Sequence, residues 1–168
     1  MSEQEKTIED YLEDDTYRQG VGIILYKGGK VFIAKRSDVK DAWQFPQGGT
    51  EEGEDLLDAA RRELFEETAL VKEQMELMAV CPLWMAYTLP KKMQKDGFKG
   101  QVQKWFLFEF KEDDAVIDLS KAQDKEFSDW RWEDKDVVIE QVADFRKSVY
   151  TEVLKIFASR IDKSAEPA

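Results

Sequence analysis

The chain has 168 residues, 42% of them apolar and 12% aromatic, which suffices for one packed domain, is too little for two, and excludes collagen-like and low-complexity classes. Its net charge of −11 argues against a basic face that would clamp duplex DNA. No apolar run approaches the roughly 18 to 20 residues of a membrane helix, and the acidic start MSEQEKTIEDYLEDD is unlike a signal peptide, so a cytoplasmic protein with no membrane partner is expected.

Residues 1–16 are acidic with little periodicity and read as a solvated, mobile arm; a domain over 17–160 and a polar tail over 161–168 complete the expected organisation. GVGIILY (20–26) and KVFIAKR (30–36) are β-rich runs separated by Lys27, Gly28 and Gly29, a hairpin signal. After WQFPQGG (43–49), Leu56, Leu57, Ala60, Leu64 and Phe65 recur at helical spacing and predict a helix over 54–68. Leu77 to Tyr87 and QVQKWFLFEF (101–110) read as strands, the second nearly continuous in apolar residues and therefore central. The lone Cys81 has no partner for a disulfide or a zinc site and reads as a small buried residue. A lysine-rich loop spans 90–100, FSDWRWE (127–133) alternates like a strand, and the spacing of Val138, Val142, Phe145, Val149, Val153 and Ile156 predicts one amphipathic helix over 137–161. Trp43, Trp105, Trp130 and Trp132 are assigned to packing. Hairpins beside a strand reached across a helix predict an α/β (α+β) sandwich with mixed β-sheets.

There is no histidine, so acid–base chemistry must use carboxylates, lysine, tyrosine or metal-bound water. Glu63, Glu66 and Glu67 stand at i, i+3 and i+4 and project from one helix face. Each like-charge pair costs an isolated helix about 0.2–0.5 kcal/mol, a cost that a hard divalent ion would relieve. A solvated acidic face is the alternative that spacing alone leaves open.

The surroundings extend the pattern. Gly48, Glu54, then Arg62, Glu63, Leu64, Phe65, Glu66, Glu67, Thr68, Ala69 and Leu70 resemble the Nudix box, G-x5-E-x7-R-E-U-x-E-E-x-G-U, at every position except Ala69, where the family has glycine. That residue follows the helix, where a left-handed backbone is common and costs a non-glycine residue roughly 1–2 kcal/mol. The resemblance implies an α/β/α sandwich with mixed β-sheets, a catalytic loop-helix-loop and a long C-terminal helix. It also implies a metal-dependent hydrolase of phosphoric anhydride bonds, with Gly48, Glu63, Glu66 and Glu67 as metal ligands and Arg62 pairing with Glu54 to hold the loop on the helix. Mg2+ is the implied ion, with Mn2+ an alternative. Glu66 is the implied acceptor of the water proton, with Glu63 and Glu126 as alternatives, because these roles differ between family members.

YRQGVGIIL, AWQFPQGG, LPKKM, GQVQKWFLFEF, EFSDWRW and DFRKSVY further resemble the RNA pyrophosphohydrolase branch, related to dinucleoside polyphosphate hydrolases. The implied reaction removes pyrophosphate or phosphate from an RNA 5′ end and leaves a 5′-monophosphate, promoting mRNA decay. Diadenosine tetraphosphate hydrolysis is the alternative; a Nudix-fold binding protein without turnover would be expected to lack a box carboxylate, and here all are present. Glu126 aligns with a further metal-binding carboxylate of the family. Arg18, Lys35, Arg36, Lys91, Lys92 and Lys104 are candidates to meet phosphates. Tyr87 and Phe145 are candidates to stack on a base, although Phe145 equally suits the apolar face of its helix. Nothing in the sequence names an activating protein partner.

Overall fold

Residues 6–166 are described in a computed structural model. Strands β1 (Tyr17–Lys27) and β2 (Lys30–Arg36) form the expected antiparallel hairpin. Its two-residue turn places Gly28 and Gly29 at φ 57° and 81°, backbone that glycine adopts without steric cost. Short strands β3 (Trp43–Gln44) and β4 (Gln47–Gly49) lead to helix α2 (Leu56–Thr68), which follows the capped helix α1 (Ile8–Glu13) in chain order. Then come β5 (Met75–Val80), β6 (Met85–Thr88), β7 (Gly100–Phe110), β8 (Phe127–Glu133), α3 (Lys135–Gln141) and α4 (Asp144–Lys163).

All eight strands join one mixed sheet, with β3-β2-β1-β7-β5 as its main path and β4, β6 and β8 paired to β1, β7 and β2. β1 and β7 run parallel from Tyr17↔Gly100 to Tyr26↔Glu109, and β7 is central as expected. Both faces of this pair are buried, which explains why neither strand alternates cleanly in sequence. Ile24, Tyr26, Trp105 and Leu107 meet Val149, Tyr150, Val153 and Phe157 of α4 on one face. Ile23, Leu25, Phe106 and Phe108 meet Ala59, Ala60 and Leu64 of α2 on the other. The result is the α/β/α sandwich. Cys81 is fully buried, and Trp105, Trp130 and Trp132 pack against Phe45 and Phe32. Trp43 stacks under the Arg131 guanidinium.

Four expectations are corrected. The acidic arm is folded from Lys6 onward: Thr7 and Asp10 close a capping box around α1, and the Tyr11 ring lies edge-on to Tyr17 at 4.8 Å. Residues 1–5 of that arm lie outside the described residues. The run from Leu77 to Tyr87 is two strands, because Pro82 lacks an amide for the ladder; β5 and β6 pair with different halves of β7. The C-terminal helix is broken at extended Val142 and Ala143, although the apolar spacing continues across the break. At the break Val142 is buried in the core and Ala143 is exposed. Finally, α4 runs to Lys163, so the polar tail is shorter than 161–168; Ser164 Oγ accepts from the Gly29 amide at 2.8 Å.

Helix α2 is capped by Asp55, which accepts from the amides of Leu57 and Asp58. It ends at Ala69 with φ 67°, the left-handed conformation anticipated for the box glycine. Ala69→Gly is expected to stabilise the fold by about 0.5–1 kcal/mol, the relieved strain less glycine's larger unfolded-state entropy. Thermal unfolding would show this as a rise of a few degrees, and an unchanged or lower Tm would contradict it.

Candidate active site

β4 lies along β1, pairing Gly48 with Val21, and α2 packs across it. A Cβ on Gly48 would sit 2.0 Å from Glu63 Cδ, so glycine is required for that carboxylate to rest against the strand. On the adjacent residue, a Cβ on Gly49 would meet the Arg18 guanidinium at 2.3 Å. The box loop thus brings a carboxylate and a cation against two consecutive glycines.

Arg62 organises the helix start. Its Nε and Nη2 donate to both Glu54 oxygens at 2.7 and 2.9 Å, and Nη2 also donates to the Gly49 carbonyl at 2.9 Å. Its Nη1 donates to Glu63 at 3.0 Å and Glu66 at 3.2 Å. Glu54 returns a contact to the Glu51 amide, and Arg62 beside it holds its carboxyl below the usual range. Loop and helix are therefore tied by one planar fork, a geometry lysine does not reproduce.

The three glutamates do not share one environment. Glu63 and Glu66 line a cleft of about 710 Å³ together with Gly48, Arg18, Arg36, Glu126, Phe145 and Arg146. Glu67 lies behind it, 1% exposed, with Oε2 lacking any hydrogen-bond partner. Burial first, then the charges of Glu126 and Glu63, push the Glu67 carboxyl well above the ordinary range; the Gln47 backbone amide offsets part of this. Burial also pushes Glu63 up to about 7, against the opposing pull of Arg62.

Glu126 reaches the cleft from the loop before β8, its carbonyl accepting from the Ser37 amide at 2.8 Å. The β2–β8 register shifts between Lys35 and Arg36, and Arg36 donates to Glu126 at 3.3 Å and twice to Asp38 at 2.8 Å. Consecutive residues of a strand face opposite sides, and here Arg36 lines the cleft whereas Lys35 does not.

The donors suit a hard divalent ion: they are all oxygens, and one buried carboxylate oxygen lacks a partner. Among the described residues, no three acidic side chains are drawn together as a closed ligand set; Glu63 and Glu66 are shared with Arg62 instead.

Other sequence candidates divide. Arg18, Lys92 and Phe145 line the cleft; Lys91 does not. Lys104 is turned away, donating to the Pro82 carbonyl at 3.2 Å beside the Trp84 ring. Tyr87 is buried, its hydroxyl accepting from Gln47 Nε2 at 3.2 Å, and its ring backs Phe145 at 5.8 Å. Tyr87 is thus a support for Phe145 and is not itself an exposed stacking surface.

Sequence reasoning missed Arg146, Gln47, Asp38 and Asp124, all of which line the cleft. Arg146 is 9% exposed, donates to buried Gln44 at 3.0 Å and lies over the Phe145 ring at 4.8 Å. It stands four residues after Val142 and three before Val149, so a charge on the buried helix face was the available signal. Asp38 and Asp124 lie on loops and had none.

The NUDIX domain matches residues 16–153, most of the chain. The protein belongs to the NUDIX family. NUDIX relatives include the RNA pyrophosphohydrolase of Dinoroseobacter shibae, 41% identical over 148 residues, covering 84% of this chain and 92% of that protein. The RNA pyrophosphohydrolase of Shewanella piezotolerans is 40% identical over 152 residues, covering 88% and 87%. Among solved structures, a C. elegans Ap4A hydrolase binary complex is similar with TM-score 0.63 at 21% identity, covering 84% of this chain and 98% of that one. E. coli dihydroneopterin triphosphate pyrophosphohydrolase is similar with TM-score 0.67 at 22% identity, covering 84% and 99%. These two likenesses bear on the NUDIX fold alone. No helix of the described residues is long and apolar enough to cross a membrane.

Proposed function

We propose that this NUDIX protein is an RNA 5′ pyrophosphohydrolase that uses a divalent ion, Mg2+ by preference, to leave a 5′-monophosphate. The observation that carries the reading is the meeting of Glu63, Glu66 and Glu126 with Arg18 and Arg36 in one cleft, backed by the unpartnered Oε2 of Glu67. The two relatives at 40–41% identity support RNA over other nucleoside polyphosphates.

Glu63, Glu66, Glu67 and Glu126, with the Gly48 carbonyl, would hold the ion. Bound there, it would neutralise phosphoryl oxygens and lower the pKa of a bound water. Arg18 and Arg36 orient the phosphates, and Glu66 accepts the proton as water oxygen bonds to phosphorus and an anhydride P–O bond breaks. Phe145, held between Tyr87 and Arg146, lines the cleft where a nucleobase would pack. Arg62 and Glu54 position the helix and do not touch substrate.

Initial rates on 5′-triphosphorylated RNA, 5′-diphosphorylated RNA and diadenosine tetraphosphate, with and without magnesium, test the reading. The expected result is magnesium-dependent formation of 5′-monophosphorylated RNA at higher kcat/KM than dinucleotide cleavage. Faster cleavage of the dinucleotide would reassign the enzyme to nucleotide clearance.

A further inference from the structure

A second cavity of about 460 Å³ opens beside the cleft and shares Arg18, Leu89, Met93, Lys95 and Gln101 with it, so a ligand chain has a continuous path between the two. Half-buried Phe98 and buried Gly100 contribute to its wall. The loop that frames it is tied in place: the Leu89 amide donates to the Lys99 carbonyl at 2.8 Å, and the Lys99 amide donates to the Thr16 carbonyl at 2.7 Å. Its tip is a tight turn, with the Phe98 amide donating to the Lys95 carbonyl at 3.0 Å across left-handed Asp96 and Gly97.

Carboxylates thin out along this path. The cleft sets five carboxylates, Glu63, Glu66, Glu126, Asp38 and Asp124, against five cations, whereas the second cavity has Asp96 alone beside Arg18 and Lys95. Lys91, Lys92 and Lys99 belong to the same loop. Among the described residues, none of these four lysines, nor Arg18, forms an ion pair, although acids outnumber bases 36 to 25. Cations left unneutralised in so acidic a chain favour a polyanion. A polyphosphate at the carboxylates needs metal ions, but the phosphodiesters that follow it need cations without competing carboxylates. A dinucleoside polyphosphate carries no phosphate beyond its second nucleoside.

We propose that this second cavity binds nucleotides downstream of the 5′ end of a single-stranded RNA, with a base against Phe98 and backbone phosphates at Lys95 and its neighbouring lysines. The inference rests on the RNA reading above and adds a subsite that distinguishes a longer RNA from a dinucleotide.

The test compares the native protein with Phe98→Leu, Phe98→Tyr and Lys95→Gln on 5′-triphosphorylated RNAs of two and eight nucleotides and on diadenosine tetraphosphate. Phe98→Leu is expected to raise KM for the longer RNA by about 5- to 20-fold with kcat retained, and Phe98→Tyr to restore it, since stacking tolerates either ring. Lys95→Gln is expected to reduce the slope of log KM against log salt for the longer RNA by about 0.7, one phosphate contact. KM for the two-nucleotide RNA and the dinucleotide is expected to stay unchanged in Phe98→Leu. Equal changes for both RNA lengths, no change, or a rise for the dinucleotide would each overturn the subsite. Fluorescence anisotropy of an eight-nucleotide RNA with a 5′ hydroxyl separates the two readings. If the native protein hydrolyses no RNA, the activity is refuted, while Phe98-dependent binding of this probe still upholds the subsite and its absence refutes it.

Discussion

Glu67→Gln is expected to lower kcat by about 10²- to 10³-fold, comparable to losing a preorganised electrostatic group, while making the metal-free protein more stable at pH 8. The two effects have one cause. Glu67 is 1% exposed, faces the charges of Glu126 and Glu63, and has an oxygen without a partner. Its carboxyl therefore favours the protonated form in the fold more than in the unfolded chain. The stabilising contribution is complete below the ordinary carboxylate value of 4.5 and is lost as pH rises through the elevated folded-state value. Glutamine keeps the shape and abolishes the charge. In metal-free buffer, Tm of Glu67→Gln should exceed that of the native protein at pH 8, and the gap should close towards pH 4. Millimolar magnesium should raise Tm at pH 8 more in the native protein than in the variant. A variant less stable than the native protein at pH 8 without metal would show that Glu67 is satisfied by contacts within the fold, and would remove the argument for its role towards a cation.

Arg62→Ala should be the most damaging single change to the fold of the loop-helix unit, costing about 3 kcal/mol and lowering Tm by about 6–12 °C. The side chain makes five hydrogen bonds, to Glu54, Glu63, Glu66 and the Gly49 carbonyl. Truncation leaves Glu54 and Glu63, only 15% and 12% exposed at their side chains, without their cationic partner. It also frees the loop that sets Gly48 against Glu63. Arg62→Lys restores the charge without the planar fork and should recover only part of the loss. Differential scanning calorimetry of both variants measures this, and equal Tm for lysine and arginine would show that charge alone holds the loop.

Several features were legible without coordinates because they depend on near neighbours in the chain. Two consecutive glycines specified the β1–β2 turn, the spacing of Leu56, Ala60 and Leu64 specified α2, and the position after the helix anticipated the left-handed backbone at Ala69. The Arg62–Glu54 pair was legible through the box, since both lie on the same loop-helix segment. Features that failed left no signal in the apolar periodicity. Nothing in the periodicity marks the break between α3 and α4, and the short acidic helix α1 is supported by Tyr11 against Tyr17 rather than by a long apolar stripe.

By itself the sequence determined an acidic chain in which no histidine is available for acid–base chemistry, with three glutamates on a single helix and a box specific enough to indicate its family. Only the tertiary structure decided that these glutamates serve unequal positions, because burial depends on what packs beside each one: Glu67 is sealed behind the cleft near Glu126, while Glu63 and Glu66 border the cleft and share Arg62. It likewise selected among the cations. Arg36 is held in the cleft by Asp38 and Glu126, Lys104 is turned towards Pro82, and Arg146 is drawn in through Gln44. Side-chain direction across a sheet depends on register and on partners far along the chain, and neither is encoded in the local spacing of residues.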